Sequence, residues 1–278
     1  MTTTPLALPS GTIDVFDTGG DGQPIVFGHG LVMDHTEWTG VIENLTPEFR
    51  CVVPVLPLGG HRRPMPDDAD LTMRGVALLI AETIEALELP PVVLVANDWG
   101  GPQITAVERP DLIAGLVLTA EEAFDNYPPG LPGAFAALSC RLPGGLTIAG
   151  RSLGIPGFQR LPMTFGRMTV HPIPRKIIRG WTDGLITEPG VRRDVQRYVD
   201  TTPKDCLVEA AEQLRTFDKP ALVIWPTDNR TMPRSHGARL ADLLPQGRLV
   251  EVDDCSVLMP LDQPTRLADE IRAFAASI

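Results

Sequence analysis

Apolar residues along this chain fall into short, nearly continuous runs separated by longer amphipathic stretches. Pro24-Ile25-Val26-Phe27, Cys51 to Leu56, Val92 to Val95, and Leu112 to Ala120 are runs of strand length, rich in Val, Ile and Leu. Such runs have both faces buried, as strands of a parallel sheet do. Gly11 to Phe16 alternates polar and apolar positions instead, as an edge strand would. Between the second and third of these runs, Val76, Leu79, Ile80, Ile84 and Leu87 recur at helical spacing. Asp70 is the expected N-cap of that helix and Pro90 its stop. Strand and helix units that alternate in this way predict an α/β domain with right-handed crossovers.

The pattern changes from Phe124 to about Phe217. No clear strand is legible there; prolines and glycines alternate with helical patches such as Arg175 to Trp181 and Val191 to Val199. The strand pattern resumes at Pro220 to Trp225 and at Arg248 to Val252, and a terminal helix is expected over Pro264 to Ala275, with Leu267, Ile271 and Phe274 turned inward. The expected organisation is a core α/β domain in two parts, residues 1–123 and 218–278, with a helical insertion over 124–217.

The candidate chemistry sits at the end of the third run, in Asn97-Asp98-Trp99-Gly100-Gly101, where a strand passes sharply into a helix beginning near Pro102. Small residues around the central position relieve a turn in which a Cβ would clash. Such a turn is a nucleophile elbow, and it presents its central side chain at the carboxyl end of the sheet. The central residue is Asp98, and a carboxylate can attack an alkyl carbon to leave an ester on the protein. This stretch resembles the elbow of α/β-hydrolase-fold proteins with an aspartate nucleophile, the haloalkane dehalogenases and epoxide hydrolases. The resemblance implies an α/β-hydrolase fold, mostly parallel sheet flanked by helices, whose inserted helices form a cap closing a dry pocket over the nucleophile.

One strand unit before the elbow stands His29-Gly30. In the resembled family this pair begins the loop that helps to form the oxyanion or halide pocket. His29, Gly30, Leu31, Trp38 and Trp99, together with Val257 in the loop after the last strand, are the expected substrate-contacting residues, with Trp99 an N–H donor. His29 itself reads more readily as a histidine bonded to backbone. Haloalkane dehalogenases carry an Asn after this His-Gly, and Leu31 stands in its place. His35 lies near the position of an aromatic pocket residue in epoxide hydrolases, so it is a candidate for facing the cleft.

An aspartate nucleophile needs a His to activate water and an acid to orient that His. The family draws the His from the loop after the last strand. Here the equivalent position is Val257, which cannot accept a proton, and the five histidines, His29, His35, His61, His171 and His236, all lie elsewhere. The orienting acid is expected near Asn229 and Asp228, or at Glu121 or Glu122 after the following strand. Of these, Glu122 is carried forward with Asp98 and His35 as the catalytic candidates. Removing the base of such a pair costs up to roughly 10⁶-fold in turnover. Three functions therefore stay open: a hydrolase of a small apolar halide, epoxide or ester with its base from elsewhere (His35 or His61); a non-hydrolytic isomerase, cyclase or lyase using Asp98 as general acid or base; and a ligand-binding protein without chemistry. Epoxide opening also calls for cap tyrosines, and the chain has only Tyr127 and Tyr198, of which Tyr198 alone falls on an expected cap helix.

Composition narrows the partners. A chain of 278 residues can bury a large core, and a net charge of −11 argues against nucleic acid and anionic membranes. The four cysteines are scattered without a C-x-x-C pair, which reads as reduced thiols and gives no zinc spacing. No basic leader and no apolar run of spanning length is visible, so a cytoplasmic protein is expected, with a small-molecule substrate, no cofactor and no metal.

Overall fold

The computed structural model of the chain describes residues 2–229 and 231–278. Eight strands form one sheet in the order β1-β2-β4-β3-β5-β6-β7-β8. They are β1 (Thr4–Leu8), β2 (Gly11–Asp17), β3 (Pro24–Gly28), β4 (Arg50–Val55), β5 (Val92–Asn97), β6 (Ile113–Thr119), β7 (Ala221–Pro226) and β8 (Gly247–Val252). β1 pairs antiparallel with β2, and β2 antiparallel with β4; every other pairing is parallel. The alternating Gly11 to Phe16 segment is therefore second from the edge. The edge itself is β1, whose Thr4-Pro5-Leu6-Ala7-Leu8 is too short and mixed to have announced a strand.

β3, β5 and β7 are buried along their whole length, as expected for central strands covered by helices on both faces. The covering helices of the core are α1 (Thr39–Leu45), α2 (Met73–Ala86), α3 (Gly101–Glu108), α9 (Arg234–Leu243), α10 (Met259–Asp262) and α11 (Pro264–Ala275). α2 is capped by Thr72, whose side chain accepts from the Gly75 N–H; Asp70 stands two residues earlier and accepts from the Thr72 N–H at 2.9 Å. Threonine holds the cap because its position, three before a free amide, fits the capping geometry.

Between β6 and β7 run five helices: α4 (Gly130–Arg141), α5 (Gly145–Leu153), α6 (Arg175–Thr187), α7 (Pro189–Thr201) and α8 (Cys206–Leu214). The second and third of these pack together, as do α3 and α8. The loop after β4 is clasped by α6 and α7. His61 Nδ1 accepts from the Gly59 N–H, and its Nε2 faces the Asp194 carboxylate at 3.3 Å. Arg62 pairs with Asp183, Arg193 with Asp67, and the Met65 N–H donates to Asp194 at 2.7 Å. His61 is thus engaged in joining the inserted helices to the sheet domain. Burial pushes its pKa down, as a neutral imidazole in that role requires.

Candidate active site

β5 ends at Asn97, and Asp98 adopts φ +62°, the left-handed conformation demanded by a turn straight into α3. Such a conformation costs a non-glycine residue free energy and persists only where its surroundings enforce it. The surroundings here do so. The Glu122 N–H donates to the Asp98 carbonyl at 2.9 Å, and a Cβ on Gly101 would enter the Trp99 ring. Gly30 is pressed against the Asp98 side chain so closely that any Cβ there would overlap its carboxylate.

The carboxylate is buried at the floor of an apolar cavity of about 100 Å³. Leu31 and Val32 from the loop after β3 line it below; Phe135, Leu146, Leu153 and Met163 from the inserted segment cover it. A second, more polar cavity shares Asp98, Leu31 and Glu122 with the first and adds Trp99, Tyr127 and Tyr198. Val32 adopts φ +66°, an outlying conformation for a β-branched residue, and its N–H donates to the Leu58 carbonyl at 2.7 Å.

Three buried carboxyl groups meet beneath this cavity and share one pattern. The Leu31 N–H donates to Asp98, the Gly100 N–H to Glu122, and the Gly30 N–H to Glu37. In each pair the other carboxyl oxygen (Asp98 Oδ1, Glu122 Oε2, Glu37 Oε1) is buried with no protein partner. Burial raises all three above their ordinary values, Asp98 to about 7 and the two glutamates well above their usual range; the negative charge of Asp98 adds to the shift of both glutamates. Glu121, buried beside Gln103, is raised by the same loss of solvent. Close carboxyls in a dry site do not all ionise together, so this cluster holds protons at neutral pH.

Several expected residues stand elsewhere. His35 lines neither cavity; its ring stacks on Phe16 at 5.8 Å. It is turned towards the β2 side because Asp34 caps the turn that carries it. Trp38 is wholly buried and donates from Nε1 to the Gly28 carbonyl at 3.2 Å, so it supports the loop from behind and does not meet the cavities. His29 is backbone-bonded on both nitrogens: Nδ1 lies 3.0 Å from the Gly30 carbonyl, and Nε2 accepts from the Leu56 N–H at 2.9 Å. Burial lowers its pKa to about 4, consistent with a neutral ring. Val257 is wholly buried outside both linings, and its carbonyl accepts from Asn97 Nδ2 at 2.8 Å. Asn229, at the expected acid position, folds its own loop by accepting from the Thr231 and Met232 N–H groups. Among the described residues no histidine lines either Asp98 cavity.

Trp99 does line the second cavity, but its indole N–H is taken: it donates to the Tyr198 hydroxyl at 2.8 Å. Tyr127 lies outside the helices yet beside Tyr198, so both tyrosines of the chain meet at this cavity. Burial raises both phenols above their ordinary value. Glu37 was not legible as a site residue. The one available signal was a carboxylate embedded between Thr36 and Trp38, in a segment otherwise destined for the core. No group of three or more His, Cys, Asp or Glu side chains among the described residues could hold a metal ion, and no helix is long and apolar enough to cross a membrane.

Comparison with known proteins places this geometry. The chain is 28% identical over 272 residues to haloalkane dehalogenase 2 of Mycobacterium tuberculosis, covering 91% of this chain and 87% of the relative. It is 25% identical over 279 residues to a cis-3-alkyl-4-alkyloxetan-2-one decarboxylase of Xanthomonas campestris, covering 91% and 88%. The epoxide hydrolase CorEH superposes with a TM-score of 0.77 at 18% identity, over 99% of both chains, which speaks for the shared fold. Residues 25–270 match the model of the alpha/beta hydrolase family, and the chain belongs to that family.

Proposed function

We propose that this protein opens a small, largely apolar oxygen electrophile, an epoxide, by attack of the Asp98 carboxylate. The observation that carries this reading is the state of that carboxylate. One oxygen is held by the Leu31 N–H, while Oδ1 is unpartnered in an apolar cavity. A pKa near 7 leaves about half of the groups ionised at neutrality, and ionised carboxylate deprived of water is a stronger nucleophile than solvated carboxylate.

An oxygen leaving group is favoured over halide on two counts. Leu31 offers no side-chain donor, and the Trp99 N–H is committed to Tyr198. The phenols of Tyr198 and Tyr127 instead bring hydroxyl donors to the cavity shared with Asp98. Attack forms a bond from Asp98 to the substrate carbon and breaks the carbon–oxygen bond. The released electron pair stays on oxygen, which takes a proton from the Tyr198–Tyr127 pair. Water then attacks the ester carbonyl and gives a proton to the phenolate left on the Tyr198–Tyr127 pair, which lines the cavity shared with Asp98. Collapse passes the added hydroxyl's proton to the departing oxygen and frees the alcohol and the Asp98 carboxylate. The Xanthomonas relative is named for a four-membered oxygen ring, which agrees with an oxygen electrophile.

The test is a single turnover of a terminal epoxide series in ¹⁸O-labelled water, with a 1-haloalkane in parallel. Labelled oxygen in the Asp98 side chain, epoxide turnover and no halide release are expected. Halide release as fast as epoxide opening would refute the oxygen preference. A second reading, proton transfer by Asp98 without an ester, draws on the lack of a lining histidine among the described residues. It predicts solvent deuterium in the product, an unlabelled Asp98, and loss of turnover in Asp98→Asn.

A further inference from the structure

The net charge of the chain conceals a division. Residues 126–182 contain Arg141, Arg151, Arg160, Arg167, Arg175, Lys176 and Arg179 and no Asp or Glu at all, a local charge of +7 that leaves −18 on the rest of the chain. All seven cations are exposed. None of them forms an ion pair among the described residues, whereas Arg62, Arg63, Arg74, Arg109, Arg193 and Arg215 each do.

The same segment carries most of the exposed large apolar side chains among the described residues; Val208 and Ile278 lie outside it. Leu131, Leu138, Leu142, Ile148, Ile155, Leu161, Met163 and Val170 are all exposed, with Ile148 at 64% and Ile155 at 57%. The spacing groups them on common faces. Leu131, Leu138 and Leu142 follow one another at seven and four residues along and just past α4. Ile148, Arg151 and Ile155 follow at three and four along α5 and its exit. The two helices pack together. Single exposed apolar residues are ordinary, but clustered ones mark a contact surface.

We infer that this face of α4, α5 and the segment to Val170 docks on an anionic lipid surface, its aliphatic side chains entering the headgroup layer and its arginines meeting lipid phosphates. Charge complementarity selects this occupant. Unpaired cations among aliphatic side chains are the composition of an interfacial element, and arginine stems let the charge stay at headgroup depth. A second copy of the chain docked through the same face would bring four like charges, Arg141, Arg151, Arg160 and Arg167, against four. The acidic remainder, −18 in charge, is repelled by the same lipid and orients the molecule with this face inward. The mouth of the cavity lies in the face: Met163 is exposed and lines the Asp98 cavity, and Leu138 and Arg141 are exposed and line its neighbour. An apolar substrate dissolved in a bilayer would reach the cavity without crossing water. The docking itself does not depend on the chemistry proposed for Asp98.

Flotation of the purified full-length chain with vesicles tests this. With phosphatidylcholine vesicles containing about a third phosphatidylglycerol at low salt, the protein should float. With phosphatidylcholine alone, or in 0.5 M NaCl, it should largely remain below. Arg141→Gln, Arg151→Gln and Arg160→Gln combined should weaken binding by about fivefold per arginine, on the order of a hundredfold together. Ile148→Ser with Ile155→Ser should weaken it at unchanged charge. Both sets of substitutions, the triple and the double, are at exposed positions, and a thermal melt matching the parent confirms that the fold is intact. Absence of binding to anionic vesicles overturns the inference, as does a triple variant that floats like the parent. So does a dimer, seen by sedimentation and dissolved by Ile148→Ser with Ile155→Ser, in a protein that ignores vesicles.

Discussion

The floor and the roof of the Asp98 cavity are built on opposite principles. The floor is polar, buried and tightly specified: three carboxyl groups each held by one backbone amide, a left-handed Asp98, and a Gly30 with no room for a side chain. The roof, α4 and α5, is apolar inside, and its outer face exposes aliphatic side chains and unpaired arginines. A floor of this kind concentrates charge and strain where chemistry is done. A roof of this kind supplies dryness on one side and adhesion on the other. The contrast teaches that two parts of one cavity can be specified differently: the floor by close contacts such as Gly30 against Asp98, the roof by the composition of its two faces.

The largest effect expected from breaking the floor is on turnover. Asp98→Asn keeps the shape and the Leu31 hydrogen bond partner but removes the nucleophile or base. With an epoxide substrate found by the series above, kcat should fall by at least about 10³-fold, towards the roughly 10⁶-fold seen when acting groups are deleted elsewhere. Initial rates against substrate concentration check it; a variant retaining a tenth of the activity would remove Asp98 from the centre of the floor.

The next effect is on stability and its pH dependence. Folding raises the Asp98 pKa from its ordinary value of 3.8 to about 7, chiefly by burial. A carboxyl raised in this way contributes stability that is complete below about 3.8 and is lost as pH climbs through 7. The loss approaches about 4 kcal/mol for one fully buried group, at 1.36 kcal/mol per pH unit. Glu37, Glu121 and Glu122 act with the same sign. His29 acts oppositely. Its pKa is lowered to about 4 by burial, so its contribution is present above about 6.5 and lost as pH falls through 4. Urea unfolding at pH 5 and pH 8 should show Asp98→Asn gaining on the parent at the higher pH by up to a few kcal/mol. Parallel behaviour of the two proteins would mean that the carboxyl is not held from water.

A smaller effect lies where floor meets roof. Tyr198, on α7, accepts the Trp99 indole N–H at 2.8 Å. Tyr198→Phe leaves that buried donor unsatisfied, which costs about 1–3 kcal/mol. It also withdraws a hydroxyl from the oxygen side of the reaction, so kcat should drop further than stability alone explains. Denaturation midpoints and kcat measured on the same preparation separate the two.

Legibility in the sequence followed the same division. The floor's central feature, Asn97 to Gly101, is a local signal: a strand run, an acid, two glycines, a helix. The α/β-hydrolase fold followed from it and from the alternation of apolar runs. What could not be read was which distant groups converge. His35 lay close in sequence to the His29-Gly30 loop, yet the Asp34-capped turn sends it onto Phe16. Glu37, two residues on, points the other way and meets the Gly30 amide. Near the sheet, a one- or two-residue difference in a tight turn decides which face a side chain joins, and composition carries no such phase. Tyr127 was hidden for a related reason: it sits in a proline-rich loop whose path is set by tertiary packing. The net charge of −11 averages a basic segment, residues 126–182, with an acidic remainder, and so hides the division between them.

The smallest expected effect sharpens the contrast most. Ile148→Ser with Ile155→Ser removes two large side chains from the roof's outer face. Because both are more than half exposed, little apolar area returns to water, and the change in unfolding free energy should stay within about 0.5 kcal/mol per site. An equally modest change on the floor, the single methyl of Gly30→Ala, drives a Cβ into the Asp98 carboxylate and should cost several kcal/mol as the loop after β3 is displaced. Chemical denaturation of the two variants side by side measures the difference. If the roof variant loses as much as the floor variant, Ile148 and Ile155 are structural members of the inserted helices, and their exposure carries no message about a partner. If it loses nothing while vesicle binding collapses, the outer face of the roof is held in the sequence for what it touches and not for what it supports.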